Sequence, residues 1–137
     1  MTSTTSARPL PRATPESAHF WEGAKRGELL LQRCRQCASA YFPPQPFCPR
    51  CLNDDVEVVR ASGQGRLYSY VISHLAVPGF TPPVILAVVE LDEGPRLLTN
   101  IVGVAPEPER LPLDLELEVT FEVFDNVALP MFRPRSR

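Results

Sequence analysis

The chain is 137 residues long, 44 % apolar and 22 % charged, with a net charge of -2. That is one ordinary domain or two very small ones, with enough apolar content for a core, and it excludes both a disordered chain and a generally basic nucleic-acid binder. Residues 1–52 carry seven Lys/Arg against three Asp/Glu and residues 53–137 seven against thirteen, so a basic front of +4 precedes an acidic back of -6.

Residues 1–13 are Ser, Thr, Pro and Arg with little apolar content, and read as a disordered tail. The first seventeen residues lack the apolar stretch of a signal peptide, and no run approaches the ~20 apolar residues of a membrane span. The expected location is the cytoplasm, with no membrane partner. Thr14-Pro15-Glu16 opens a helix over 14–28: Thr14 caps, Pro15 suits the first turn and Glu16 meets the positive helix end. Ala18, Trp21 and Ala24 form its apolar stripe with Phe20 beside it, Glu22 and Arg26 can pair four apart, and Gly27 stops it.

Residues 29–54 are organised by cysteine. Leu29-Leu30-Leu31-Gln32-Arg33 leads as a short strand into Cys34 and Cys37; ten residues later come Cys48 and Cys51. In a reducing compartment two matched C-x2-C pairs are metal ligands rather than disulfides, and four thiolates close a tetrahedral site with no position left for water or substrate. The site is therefore structural. Cys48-Pro49-Arg50-Cys51 is also the type of knuckle that holds iron in a rubredoxin, but Ala38 and Leu52 stand where such knuckles carry glycine, which favours zinc. A thioredoxin-like redox role needs one pair opening a helix, a setting neither pair has.

From 55 to 134 the texture is that of strands. Val56 and Val58 alternate with polar residues, Gly63-Gln64-Gly65 marks a turn or bulge, and 66–77 is a long β-rich run. Residues 84–91 are apolar enough to be buried on both faces, Glu93-Gly94 turns the chain into a strand over 96–102, and a Pro-rich loop spans 105–112. Leu113, Leu115, Leu117, Val119, Phe121 and Val123 then alternate strictly with polar residues, a strand with one wet face. Five strands in some eighty residues fit a small Greek-key barrel such as the OB-fold, with an open sandwich as the alternative.

Nothing in this inventory forms a catalytic set. His19 belongs to the helix. His74 shares a strand face with Tyr70, opposite Ser69 and Ser73, and reads as a solvent-facing wall residue. The carboxylates of the last strand alternate with its core face and read as solvated, and Gly63-x-Gly65 is only a fragment of a phosphate loop. No catalytic residue is assigned, and the chain reads as a binding or accessory module.

Taken in order, Phe20-Trp21-Glu22, Leu29 to Cys34, Cys37, Phe42-Pro43-Pro44, Cys48-Pro49-Arg50-Cys51, Gly63 to Tyr70, Val88 to Arg96 and Phe132-Arg133-Pro134 resemble the DUF35 family from about Pro15 to Pro134. The resemblance implies a mainly β chain: an N-terminal helix, a rubredoxin-like zinc ribbon and a C-terminal five-stranded OB-fold. It implies zinc on Cys34, Cys37, Cys48 and Cys51 and no catalytic residue. It further implies an accessory role in a hetero-oligomer with a thiolase-fold subunit. That subunit is an acetyl-CoA acyltransferase or a lipid-transfer-protein aldolase of steroid side-chain breakdown, and the acyl-CoA site is shared. The resemblance extends to chains fused to a MaoC-like hydratase. On this reading Tyr41, Phe42, Phe47 and Phe80, with Phe132 behind them, are docking candidates, and Arg33, Arg35 and Arg50 are candidates for CoA phosphates. The competing use of an OB-fold, single-strand nucleic-acid binding, needs a basic groove that the -6 half does not supply, which argues against nucleic acid as a partner.

Overall fold

The computed structural model describes residues 8–135. Of the expected tail, residues 1–7 lie outside these. Residues 8–13 run without helix or strand, and the Arg8 guanidinium is stacked 4.0 Å from the Phe80 ring centre and 4.2 Å from that of Phe124. Thr14 and Ser17 then close a tight turn through reciprocal backbone and hydroxyl hydrogen bonds of 2.9–3.2 Å. Because that turn consumes Pro15 and Glu16, helix α1 covers only Ala18–Lys25. Gly27, at φ +80°, ends it: its N–H donates to the Ala24 carbonyl and that of Glu28 to Gly23, so the last carbonyls are satisfied. Arg26 pairs with Glu28 at 3.2 Å in place of the expected Glu22.

Two antiparallel sheets follow. The smaller is built from β1 (Leu30–Cys34), β2 (Ala40–Tyr41) and β3 (Val56–Arg60) in the order β2-β1-β3. The larger comprises β4 (Gln64–Ser73), β5 (Val84–Leu91), β6 (Arg96–Asn100), β7 (Glu116–Phe124) and β8 (Val127–Pro134), ordered β6-β5-β4-β7-β8. Its two edges meet where the Val102 N–H donates to the Phe132 carbonyl at 2.8 Å, beside a parallel bridge between Ile101 and Phe132. That seam makes the sheet a nearly closed five-stranded barrel of OB-fold order.

The barrel has the expected number of strands but not the expected set. Val56–Arg60 pairs with β1, from Leu30↔Arg60 to Cys34↔Val56, and so belongs to the ribbon sheet. The fifth barrel strand is β8, which the sequence hid behind Pro130 and Pro134. The sequence pattern also overstated burial of β5. Ile85, Ala87, Val89 and Leu91 point inward, whereas Leu86 on the other face is exposed. The run 66–77 is a strand only to Ser73, and β6 ends at Asn100. The final alternating segment enters its strand at Glu116, because Asp114 takes φ +66° in the turn before it, leaving Leu113 exposed at one end and Val123 at the other.

A bulge between Leu67 and Ser69 changes the parity of β4. Gly65 and Leu67 face the core before it, and Tyr70 and Ile72 pack on the core after it. At Gly65 the barrel wall is tight, since a Cβ there would sit 2.6 Å from the Glu90 carbonyl oxygen and 2.8 Å from Val89 Cγ1. The barrel core continues into the ribbon: Leu29, Leu31 and Phe20 are buried in one cluster with Leu67, Val89, Leu117 and Phe132.

Candidate metal centre and docking surfaces

The two knuckles repeat one geometry. In each, the residue four beyond the first cysteine donates its N–H to that cysteine's carbonyl, Ala38 to Cys34 at 2.9 Å and Leu52 to Cys48 at 2.8 Å. Ala38 and Leu52 both take the left-handed conformation, at φ 63° and 65°. The glycine position of an iron knuckle is thus occupied by ordinary residues in the same conformation, so the absence of glycine does not by itself distinguish zinc from iron. Further N–H groups point at sulfur, from Cys37 to Cys34 Sγ and from Arg50 to Cys48 Sγ, each at 3.4 Å.

The four sulfurs lie within 4.8 Å of one another, with Cys34 to Cys51 at 3.5 Å and Cys37 to Cys48 at 3.7 Å. A tetrahedral zinc with Zn–S near ~2.3 Å needs sulfurs about 3.8 Å apart, so this donor set fits. Its electrostatics point the same way. Hydrogen bonds from Ser39 lower the Cys37 thiol to about 6. The Asn53 backbone N–H pulls Cys51 down, but desolvation and the three neighbouring sulfurs outweigh it and push Cys51 up to about 12. Four thiolates this close cannot all ionise without a cation among them. Cys34 and Cys48 are fully buried, and Tyr41 and Val56 complete their small cluster.

The loop between the knuckles is pinned by paired neighbours on β1 and β2. Gln32 Oε1 accepts from the Gln45 N–H at 2.7 Å and the Tyr41 hydroxyl donates to the Gln45 carbonyl at 3.1 Å. Tyr41, 6 % exposed, therefore packs rather than protrudes. Phe42 is partly buried on the common core, 5.0 Å from the Phe20 ring, and Phe132 lies wholly inside the barrel. Phe80 is half-buried under Arg8. Phe47 alone of these five is a well-exposed aromatic, at 52 %.

The arginines divide similarly. Arg33 is held by Glu57 at 2.7 Å, and Arg35 by Asp55 at 2.7 Å and Glu57 at 3.6 Å. The Asp55 hydrogen bond raises the Arg35 pKa further. Arg50 reaches only the Ser39 hydroxyl, at 3.4 Å, and has no carboxylate partner among the described residues. Two of the three carboxylates of β7 are matched on neighbouring β8 and just beyond it, Glu118 by Arg133 and Glu116 by Arg135. His74 is exposed beyond the end of β4. No helix among the described residues is long and apolar enough to cross a membrane.

Two features leave no mark in the sequence. An open groove of about 400 Å³ runs between α1, the Phe42-Pro43-Pro44 segment and the barrel, lined chiefly by Trp21, Phe42, Leu97, Leu98 and Pro130. A second hollow, of about 210 Å³, lies among Leu75, Val77, Phe80, Val84 and Leu86. Residue type is no guide to either, because their walls are ordinary apolar residues that the fold brings together from separate elements.

Residues 21–57 match the family described as the ChsH2 rubredoxin-like zinc ribbon domain, and residues 58–122 the ChsH2 C-terminal OB-fold domain. Over 128 residues the chain is 40 % identical to a probable enoyl-CoA hydratase alpha subunit of Thermomonospora curvata, covering 93 % of this chain and 40 % of that protein. The chain spans about two fifths of the length of such hydratase relatives. It is 32 % identical over 87 residues to the benzoylsuccinyl-CoA thiolase subunit BbsA of Thauera aromatica, covering 64 % of this chain and 60 % of that one. Among solved structures, a chain of the Ltp2-ChsH2(DUF35) aldolase superposes with a TM-score of 0.82 at 38 % identity, over 91 % of this chain and 98 % of that one. With both of its parts matched in order and that whole chain covered, this protein belongs to the DUF35 family, as a ChsH2-type zinc ribbon joined to an OB-fold.

Proposed function

We propose that the chain is a non-catalytic accessory subunit or domain of an acyl-CoA-processing enzyme. The enzyme is most specifically a lipid-transfer-protein-type aldolase of steroid side-chain degradation, working in the cytoplasm. The chain stabilises a thiolase-fold partner and contributes to the acyl-CoA site, while one structural zinc on Cys34, Cys37, Cys48 and Cys51 holds the ribbon in shape. The observation that carries this reading is the near end-to-end likeness to the ChsH2(DUF35) chain of an aldolase. On this reading the chemistry belongs to the partner, and of the three candidate arginines Arg50 is the one not held by a carboxylate among the described residues, which favours it for a CoA phosphate. A second reading, a subunit of an acyltransferase complex, draws on the thiolase-subunit relative.

The test is coexpression with the thiolase-fold subunit of the same organism, followed by size-exclusion chromatography and turnover assays. The two chains should coelute, and carbon–carbon cleavage of an acyl-CoA should require both. Turnover by this chain alone, or failure of the pair to associate, would overturn the proposal. Acyl transfer without aldol cleavage would select the second reading, and a gel shift with single-stranded DNA at moderate salt would favour a nucleic-acid role instead.

A further inference from the structure

Resting on that reading, we infer that the chain docks on its partner through the outer face of strands β4, β5 and β6, at the wall of the barrel. Cross-strand neighbours share a face, so the registers define what this surface presents. Its rows run Ser69–Val88–Leu98 and Val71–Leu86–Asn100. Leu98 is 78 % exposed and Val71 58 %, and the exposed Leu75 and Val77 extend the patch past the end of β4. Aliphatic side chains of this number side by side reach the ~300–600 Å² at which an apolar patch on a monomer is usually functional.

Charge narrows the occupant. The two rows contain no ionisable side chain. The adjacent row on the same face is Arg66–Glu90–Arg96: Glu90 and Arg96 form an ion pair at 3.2 Å, the Arg96 guanidinium is stacked 3.9 Å from the centre of the Tyr68 ring, and Arg66 is exposed beside them. A phosphate-bearing surface, whether lipid or nucleic acid, recruits clusters of Lys and Arg, and here it would find none within the two rows and only Arg66 and the paired Arg96 at their edge. The surface calls instead for an uncharged protein face, with the ion pair as part of the polar rim that surrounds an interface core.

Area decides between a second copy and a larger partner. Apart from the hollow at Leu75, Val77, Val84 and Leu86, the face is the outside of a nearly closed barrel and curves away from whatever meets it, so two copies of it would touch over a small area. A standard interface needs ~800 Å² from each side. A larger subunit with a flat or concave apolar surface covers the patch and its rim together, and the thiolase-fold partner is that occupant. This also explains why β5 is apolar on its outward side, where an exposed strand ordinarily alternates.

The experiment uses Leu98→Lys and Val71→Lys, both on exposed positions, with Val123→Lys on β7 as the control. Each is coexpressed with the thiolase-fold subunit, and affinity is measured by titration after purification, with a thermal melt of each chain alone. The two face variants should weaken association by roughly thirtyfold or more, the scale of an interface hot spot. They should melt like the parent chain, and Val123→Lys should bind within a few-fold of it. If both face variants bind normally, the inference is overturned while the accessory role stands. If the parent chain alone is a dimer that Leu98→Lys dissolves, the occupant is a second copy and the inference is likewise overturned. If the parent chain fails to bind the subunit at all, the proposed function falls and the inference with it.

Discussion

Extraction of the metal by a strong chelator should unfold the two knuckles and leave the barrel standing. The ribbon's private core is small: Tyr41 buried between Cys34 and Cys48, with Val56 half-buried against them. A buried tyrosine of ~200 Å² at ~25 cal/mol per Å², plus part of a valine, contributes about 5–6 kcal/mol. Structural zinc in finger peptides contributes roughly 10–16 kcal/mol, so the metal outweighs the packing and the knuckles do not hold without it. Strand β1 is different, because Leu29 just before it and Leu31 within it are anchored in the barrel's core. Hydrogen exchange on the chelated protein should therefore show near-complete loss of protection at the Ala38, Cys48 and Leu52 amides. The amides of β5 should slow-exchange almost as before. Metal analysis of the untreated protein should give one zinc per chain. Iron in that analysis, retained protection in the knuckles of metal-free protein, or a barrel that unfolds together with them would refute the reasoning.

Further substitutions test the packing. Phe42→Ala should cost roughly 2 kcal/mol in denaturant melts, about half the value for a fully buried phenylalanine, whereas exposed Phe47→Ala should stay within ~0.5 kcal/mol; the reverse order would be contrary to this account. Gly65→Ala should destabilise by about 1–3 kcal/mol, because its methyl would strike the Glu90 carbonyl and Val89, and an unchanged melting midpoint would show that the wall yields there. His19 has a buried Nε2 without a hydrogen-bond partner, and desolvation lowers its pKa from 6.5. The unfolded chain then binds the proton first, so stability present above about pH 6.5 should decline as pH falls through the folded value. In His19→Phe that part of the slope should flatten, as followed by melts from pH 7.5 to 5.

How far the sequence discloses this molecule depends on whether the relevant information is local. The cysteine pairs and the turn at Gly27 are set by spacing over a few residues, and both stand in the structure as expected. The alternation from Leu115 to Phe121 marks β7 for the same reason. The partnership of β3 is non-local: nothing within Val56–Arg60 says that it pairs with β1 rather than with the barrel. Strand β8 is masked because Pro130 and Pro134 suppress the usual strand signal, although Pro130 sits in register opposite Phe121. The bulge after Leu67 inverts inside and outside without leaving any trace in composition. Docking candidates chosen for being aromatic fared as their neighbours dictated: Tyr41 and Phe42 found packing partners within the chain, while exposed aliphatic residues such as Leu98 carry no sequence mark that separates a core face from a contact face.

The cluster that joins Phe20, Leu29 and Leu31 to the barrel interior has a consequence for recombination between relatives. Ribbon and barrel look like interchangeable modules along the chain, but the seam between them is a hydrophobic interior, not a hinge. A chimera that joins one relative's ribbon to another's barrel near residue 57 would place side chains shaped for one interior against another. Such hybrids should fold well only when the positions of Phe20, Leu29, Leu31 and Phe42 travel with the barrel they evolved beside. The two halves then behave as one inherited unit, and lineages should exchange them together or not at all.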